Sequence, residues 1–162
     1  MNSNTSSSFS LEQLYDKLFR LSNLYQIIDQ YGKLVTFTPN KAQLHFHQHK
    51  ALRNIILKSR RLGMTTFNAI DMLDNTLFTP NFNALFLSYD DDSSKDVFDN
   101  LIDFNWKKLP LFLKNKYKVD TSTAKQLKLD FGNSTFSTIQ VKSSGRGTGL
   151  NQIHISELGY IA

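Results

Sequence analysis

The feature that most constrains the fold is a short apolar run followed at once by a polar turn and a long apolar-faced helix. The apolar run is 54–57, and the polar turn after it contains Gly63. Apolar residues then recur at helical spacing, at Phe67, Ile70, Leu73 and Leu77. A second apolar run, 83–89, is also followed by a helical segment. The alternating segments 126–131 and 135–142, separated by Gly132 and Asn133, predict a hairpin. The alternation of apolar runs with helical segments predicts an α/β fold with a largely parallel sheet flanked by helices.

The N-terminal part of the chain is predicted to be a tail and a helix. Residues 1–10 are rich in Ser and Asn, which is typical of a disordered tail. The apolar residues of 11–34 have helical spacing, and Ser10 with Gln13 forms a capping-box pattern at its start. Gly32 is expected to end this helix.

Composition narrows the classes of function. A length of 162 residues fits one domain, and the absence of Cys excludes a disulfide scaffold, a cysteine nucleophile and a thiolate zinc site. No apolar run reaches the ~18–20 residues of a membrane-spanning helix, and the start of the chain lacks the basic and apolar regions of a signal peptide. A net charge of +5 fits a polyanionic partner.

Residues 58–66 have the features of a phosphate-binding loop. Such a loop follows a strand and ends at a helix N-terminus, and it supplies a cation and a hydroxyl for Mg²⁺. Gly63 allows close backbone approach, and Thr65 offers the hydroxyl, but Met64 stands where the usual lysine would be and the usual first glycine is missing. The cations available instead are Lys58, Arg60 and Arg61. A basic solvated loop is the alternative interpretation.

A strand that ends in a carboxylate follows near the C-terminus. The apolar segment 153–155 leads through Ser156 to Glu157. In ATPases, an acid at such a position orients the attacking water, and a hydroxyl before it can hold Mg²⁺ only through a water. The alternative is an ordinary strand end with a surface glutamate.

Two further side chains are suited to contacts with a nucleotide. Arg146 lies between two glycines, which suits a cation that must reach a phosphate, although a basic loop that contacts solvent or DNA is the alternative. Gln43 lies in the polar segment 41–52, which is predicted to be helical. Its amide can donate and accept at once, as the adenine edge requires, although a surface glutamine is the alternative.

Two groups of basic residues are weaker candidates for a binding site than the segments above. His45, His47 and His49 would point in different directions on a helix, so a metal site is not expected there. A lysine-rich stretch either follows phosphates or forms a solvated face, and it comprises Lys107, Lys108, Lys114, Lys116 and Lys118.

Taken in order, these segments resemble the ATPase region of large terminase subunits, the DNA-packaging motors of tailed bacteriophages. The resemblance runs from about residue 35 to residue 162. It implies a P-loop NTPase fold of the ASCE type, with ATP and Mg²⁺ as ligands and ATP hydrolysis coupled to movement of double-stranded DNA into a procapsid. It also implies a homo-oligomeric ring that works with a portal protein and a small terminase subunit. This ring would act in the cytoplasm of the infected bacterial host, without a membrane.

The resemblance also implies roles for individual residues. Terminases include phosphate loops with the lysine at the front, which makes Lys58 the replacement for the lysine missing at Met64. Glu157 becomes the catalytic carboxylate, and Arg146 becomes an arginine that acts on the ATP of a neighbouring subunit. Thr65 would bind Mg²⁺ directly, and Ser156 would do so through a water. The implied ATP contacts are Gln43, Lys58, Ser59, Arg60, Arg61, Leu62, Gly63, Met64, Thr65 and Thr66.

The end of the sequence adds one expectation and one rival interpretation. Terminase ATPase regions continue past the acidic strand into further strands and a nuclease domain, whereas this sequence stops soon after Glu157. We therefore expect 35–162 to be a partial ATPase domain that is poorly stable and weakly active by itself. The rival interpretation is a non-catalytic basic α/β module that binds nucleic acid or protein. A helicase fits less well, because helicases usually keep the loop lysine.

Overall fold

A computed structural model of the chain describes residues 9–59, 61–143 and 149–156. The helices are α1 (Leu11–Tyr15), α2 (Lys17–Asn23), α3 (Lys41–His49), α4 (Met64–Phe78), α5 (Asp91–Val97), α6 (Phe104–Lys108) and α7 (Leu111–Lys114). A π-helical segment, Phe98–Asp103, joins α5 to α6. The strands are β1 (Gln26–Ile28), β2 (Leu34–Thr36), β3 (Asn83–Leu87), β4 (Lys118–Thr123), β5 (Gln126–Asp130), β6 (Phe136–Lys142) and β7 (Gln152–Ile155).

The main sheet is five-stranded and mixed, in the order β4-β5-β6-β3-β7. Strand β3 is parallel to both of its neighbours, β6 and β7. The pairs β4–β5 and β5–β6 are antiparallel, and the latter has Gly132 at its turn, as the hairpin pattern predicts. The α/β class is therefore confirmed, but only the part of the sheet around β3 is parallel.

Helix α4 is the centre of the hydrophobic core. The four apolar residues that predicted it are all buried, and the helix packs against α2, β3 and β6. It also carries two buried carboxylates, Asp71 and Asp74, which are neutralised by partners from the N-terminal segment and from the end of α3. Arg20 binds Asp74 through two nitrogens at 2.8 and 2.9 Å, and the Tyr25 hydroxyl donates to the same carboxylate at 2.8 Å. Such pairing is what makes buried charge tolerable.

The N-terminal segment differs from the single long helix that its periodicity predicts. The capping box at Ser10 and Gln13 is present, but the helix breaks at Asp16, whose side chain caps α2 instead. The chain leaves α2 after Asn23 and forms the antiparallel hairpin β1–β2. Gly32, expected to end a helix, has φ +75° in this hairpin connection. The prediction of a helix over 11–34 was wrong beyond Asn23, because pairing with β2 wins over helical propensity.

The apolar run 54–57 also differs from its prediction. It lies in no helix or strand, and Ile55 and Leu57 are 88% and 94% exposed. Strand β3 is paired with β6 and β7, and none of the described strands pairs with 54–57. The predicted strand before the phosphate loop was therefore wrong for this structure.

Within the described ranges, no helix has the length and apolar character needed to cross a membrane.

Candidate functional site

The candidate site is the start of α4 and the loop before it. Helix α4 begins at Met64, directly after Gly63, which has φ +66°. Arg61 is also in the left-handed region, at φ +64°, so the chain turns sharply twice before the helix. No side chain of the described residues caps this helix start. The first N–H groups of α4 therefore have no side-chain capping partner among the described residues, and an anion could take that place.

Helix α3 holds the loop in place through two side chains. The Gln43 Nε2 donates to Gly63 O at 2.9 Å and to Leu62 O at 3.3 Å, and the Asn40 Nδ2 donates to Leu62 O at 3.2 Å. The Gln43 Oε1 accepts from the Asn40 N–H at 2.9 Å in the capping box of α3. Gln43 is 3% exposed, so both polar atoms of its amide are already hydrogen-bonded inside the protein. We call this contact of Asn40 and Gln43 with Leu62 and Gly63 the loop clamp.

Two cavities adjoin the loop. The larger, of about 510 Å³, is lined by Ala42, His45, Phe46, His49, Arg53, Asn54, Ile55, Ile56, Leu57, Lys58, Leu62 and Met64. The smaller, of about 200 Å³, is lined by Ile27, Phe37, Thr38, Asn40, Gln43, Arg61, Leu62, Gly63 and Thr66. None of the described residues in these linings carries a carboxylate. The charged groups that face the cavities are therefore cations, which favours an anionic ligand.

The charge of Lys58 acts on His154 of the edge strand β7. Its charge, together with burial, lowers the pKa of His154 on β7 to about 4, and burial is the larger cause. The His154 ring lies 4.6 Å from the Phe86 ring on β3, measured between centroids. Lys58 is exposed at the front of the loop, where it is free to meet a ligand.

A buried carboxylate on α4 ties the surroundings of the loop together. Asp71 is 1% exposed and accepts from Lys17 at 2.7 Å, from Lys50 at 3.1 Å and from Gln152 of β7 at 3.1 Å. The two lysines lower the pKa of Asp71 despite its burial, which raises it. This ionic contact fixes β7 and the end of α3 to α4.

The other predicted site residues have varied positions. Thr65 and Thr66 are partly exposed in the first turn of α4, and Ser59 is exposed. The Met64 side chain is 3% exposed and uncharged, so it supplies no cation at the position of the usual lysine. Ser156 continues β7, with its N–H donating to Leu87 O at 2.8 Å. Arg60, Arg146 and Glu157 lie outside the described residues.

Helix α3 places His45 and His49, which are four residues apart, on one face and His47 on another, so the expectation that all three point in different directions holds only for His47. The rings of His45 and His49 are stacked, with centroids 4.2 Å apart, and His47 points toward Asp71. Within the described residues, no group of three or more His, Asp or Glu side chains is placed to hold a metal ion.

Sequence reasoning missed two residues that shape the site. Asn40 takes part in the loop clamp, and the Asn40-x-x-Gln43 spacing of a capping box was a usable signal that the Gln43 amide has partners of its own. Asp71 had no local signal, because its lysine partners come from distant parts of the sequence.

The structure is similar to that of the large terminase ATPase domain of Thermus phage P74-26. The TM-score is 0.64 with 15% sequence identity, and the similarity covers 78% of this chain and 56% of that one. The chain thus spans little more than half the length of that ATPase domain. No protein family matches the sequence, and no curated protein matches it either. At this identity the similarity establishes a terminase-like α/β fold and leaves the activity to be argued from the site.

Proposed function

We propose that this chain binds ATP at the loop 58–66 and forms the ATP-hydrolysing part of a phage terminase large subunit, which drives double-stranded DNA into a procapsid. Lys58 and the arginines of the loop neutralise the phosphates. The N–H groups at the start of α4 hydrogen-bond to them. In this role the protein works as a ring in the cytoplasm of the infected host, with the portal protein and the small subunit.

The observation that carries the proposal is the electrostatic character of the loop. An uncapped helix start, two left-handed residues and two cavities without a lining carboxylate stand together at one place. Each of these features favours an anion with several oxygens, and phosphate is the common example. The fold of the Thermus phage ATPase domain supports a nucleoside triphosphate as that anion.

The residues present fit Mg²⁺ that is bound mainly by the triphosphate. The hydroxyls of Thr65 and Ser156 are neutral oxygen donors that suit a hard cation, and Ser156 would act through a water. The ion would supply charge stabilisation at the transferred phosphoryl group. Glu157 would accept hydrogen bonds from the attacking water, and Arg146 would neutralise charge on the ATP of the adjacent subunit.

Titration calorimetry with Mg·ATP tests the binding part of the proposal. Lys58→Ala should weaken binding by about tenfold or more, because a hydrogen bond to a charged group is worth about 1.5–3 kcal/mol. The matched control is Lys116→Ala, which removes the same charge from an exposed position that lines neither cavity. Absence of ATP binding in the unmodified chain, or equal affinity in all three proteins, would contradict the proposal.

Turnover in the full terminase subunit tests the catalytic part. Glu157→Ala should abolish ATP hydrolysis and leave ATP binding largely intact, since the carboxylate acts on the water and not on the nucleotide. Glu12→Ala is the control, because Glu12 is the other glutamate of this chain and is exposed on α1. Hydrolysis that survives the Glu157 change would show that another residue is the base.

A second candidate function is a non-catalytic basic α/β module that binds nucleic acid or protein. The burial of Met64 favours it, because the loop lacks a cation at the position where phosphate-binding loops usually carry lysine. Such a module would bind DNA with a steep dependence on salt and without any response to ATP. The two candidates are therefore separated by DNA binding measured with and without Mg·ATP.

A further inference from the structure

We infer that Gln43 is a positioning residue that holds the phosphate loop in its binding conformation, and that it does not select the adenine base. This inference rests on the proposed nucleotide binding, and it assigns Gln43 a different role from the adenine contact that the terminase resemblance implies. The loop clamp is the geometric basis.

The clamp acts on carbonyl groups and leaves the amide groups of the helix start unused. Gln43 donates to Gly63 O, and the Phe67 N–H donates to the same oxygen at 2.9 Å as the first intrahelical hydrogen bond of α4. The carbonyls that precede the helix are thereby turned toward α3. The N–H groups of the first turn are left for an anion, which is the arrangement that phosphate binding requires.

The packing at Gly63 makes the clamp specific. A Cβ atom at this position would lie 2.9 Å from the Gln43 Nε2, closer than real contacts allow, and the φ of +66° already favours glycine. Gly63 and Gln43 are therefore matched to each other. The buried amide has no spare donor for a base, because Nε2 already donates to both Leu62 O and Gly63 O, and Oε1 already accepts from the Asn40 N–H.

Affinities for ATP, GTP and inorganic tripolyphosphate distinguish the two roles. In Gln43→Ala, a positioning role predicts that binding of all three anions weakens by a similar factor, about tenfold, with the ATP-to-GTP ratio unchanged. An adenine contact predicts a selective loss for ATP and unchanged binding of tripolyphosphate, and this result would overturn the inference. Gln48→Ala, on the exposed side of the same helix, is the matched control and should bind like the unmodified chain.

A second variant covers the case in which the alanine protein fails to fold. Gln43→Met keeps the volume of the buried side chain and has no hydrogen to donate to Leu62 O or Gly63 O. It adds no charge, so the ATP-to-GTP ratio still decides between the two roles.

Hydrogen exchange without any ligand tests the clamp independently of the proposed function. The Phe67 amide should exchange about tenfold faster in Gln43→Met than in the unmodified chain, because Gly63 O is no longer held by α3. Unchanged exchange would overturn the inference. If the unmodified chain binds none of the three anions while the Phe67 amide responds, the proposed function fails and the structural part of the inference stands.

Discussion

Strand β3 and the segment 54–57 have similar sequences and opposite environments. Both are short apolar runs that lead into a polar turn and a helix. Strand β3 is paired on both edges, and Phe86 in it is fully buried. The segment 54–57 lies in no strand, and Ile55 and Leu57 are almost fully exposed.

The difference shows that an apolar run becomes a strand only where neighbours complete its hydrogen bonds. Strand β3 receives β6 on one edge and β7 on the other, although both come much later in the sequence. No described strand pairs with 54–57. The loop before α4 is consequently held from the side of α3, through the loop clamp, and not by a strand directly before it.

The largest change in the free energy of unfolding is expected from a substitution in the buried strand β3. Phe86→Ala should lower the free energy of unfolding by about 3–5 kcal/mol, because it removes a fully buried ring from the centre of the sheet. Denaturant unfolding monitored by circular dichroism measures the change. A loss below about 1 kcal/mol would mean that β3 is not the packed centre of the fold.

An intermediate change in the free energy of unfolding is expected when pH is lowered, because of His154 on the edge strand β7. The pKa of His154 is about 4 in the folded chain, below its ordinary 6.5, so the folded state resists protonation of this ring. The contribution of this ring to the free energy of unfolding therefore has its full value above pH 6.5. As pH falls toward 4, the lowered pKa of His154 reduces this free energy by up to about 3 kcal/mol.

The control for this pH dependence is His154→Phe, which keeps an aromatic ring against Phe86 and cannot be protonated. Unfolding free energies between pH 7 and 4 should fall less steeply in this variant. His47, whose pKa is also lowered by burial and by Lys50, contributes in the same direction in both proteins. Identical slopes would show that the ring of His154 is accessible to solvent in the folded chain.

The smallest change in the free energy of unfolding is expected from substitutions in the exposed segment 54–57. The double change Ile55→Ala and Leu57→Ala should alter the free energy of unfolding by no more than about 0.5 kcal/mol, since neither side chain is buried. The same denaturant experiment measures it. A loss above about 1.5 kcal/mol would show that Ile55 and Leu57 are packed in solution and would remove the contrast with β3.

Local sequence signals predicted the parts of the fold in which neighbours in sequence are also neighbours in space. The helical spacing of Phe67 and Ile70 located α4, and the Gly132 turn located the β5–β6 hairpin. The same periodicity failed after Asn23, where the pairing of β1 with β2 decides the structure.

The sequence predicted where the candidate site lies but not the contacts that support it. Gly63 and Thr65 lie at the helix start as expected, because a polar turn with a glycine before an apolar-faced helix is a local pattern. The ionic contact at Asp71 depends on Lys17, Lys50 and Gln152, which are remote in sequence. No pattern in a single sequence indicates such a meeting of charges.

The most direct test of the account is amide hydrogen exchange of the full chain with and without Mg·ATP. We expect fast exchange over 54–59 and slow exchange over Asn83–Leu87 in the absence of nucleotide. Addition of Mg·ATP should protect the amides of 61–66 and leave those of Asn83–Leu87 unchanged. Protection that is absent, or that falls on the sheet and not on the loop, would contradict nucleotide binding at the start of α4.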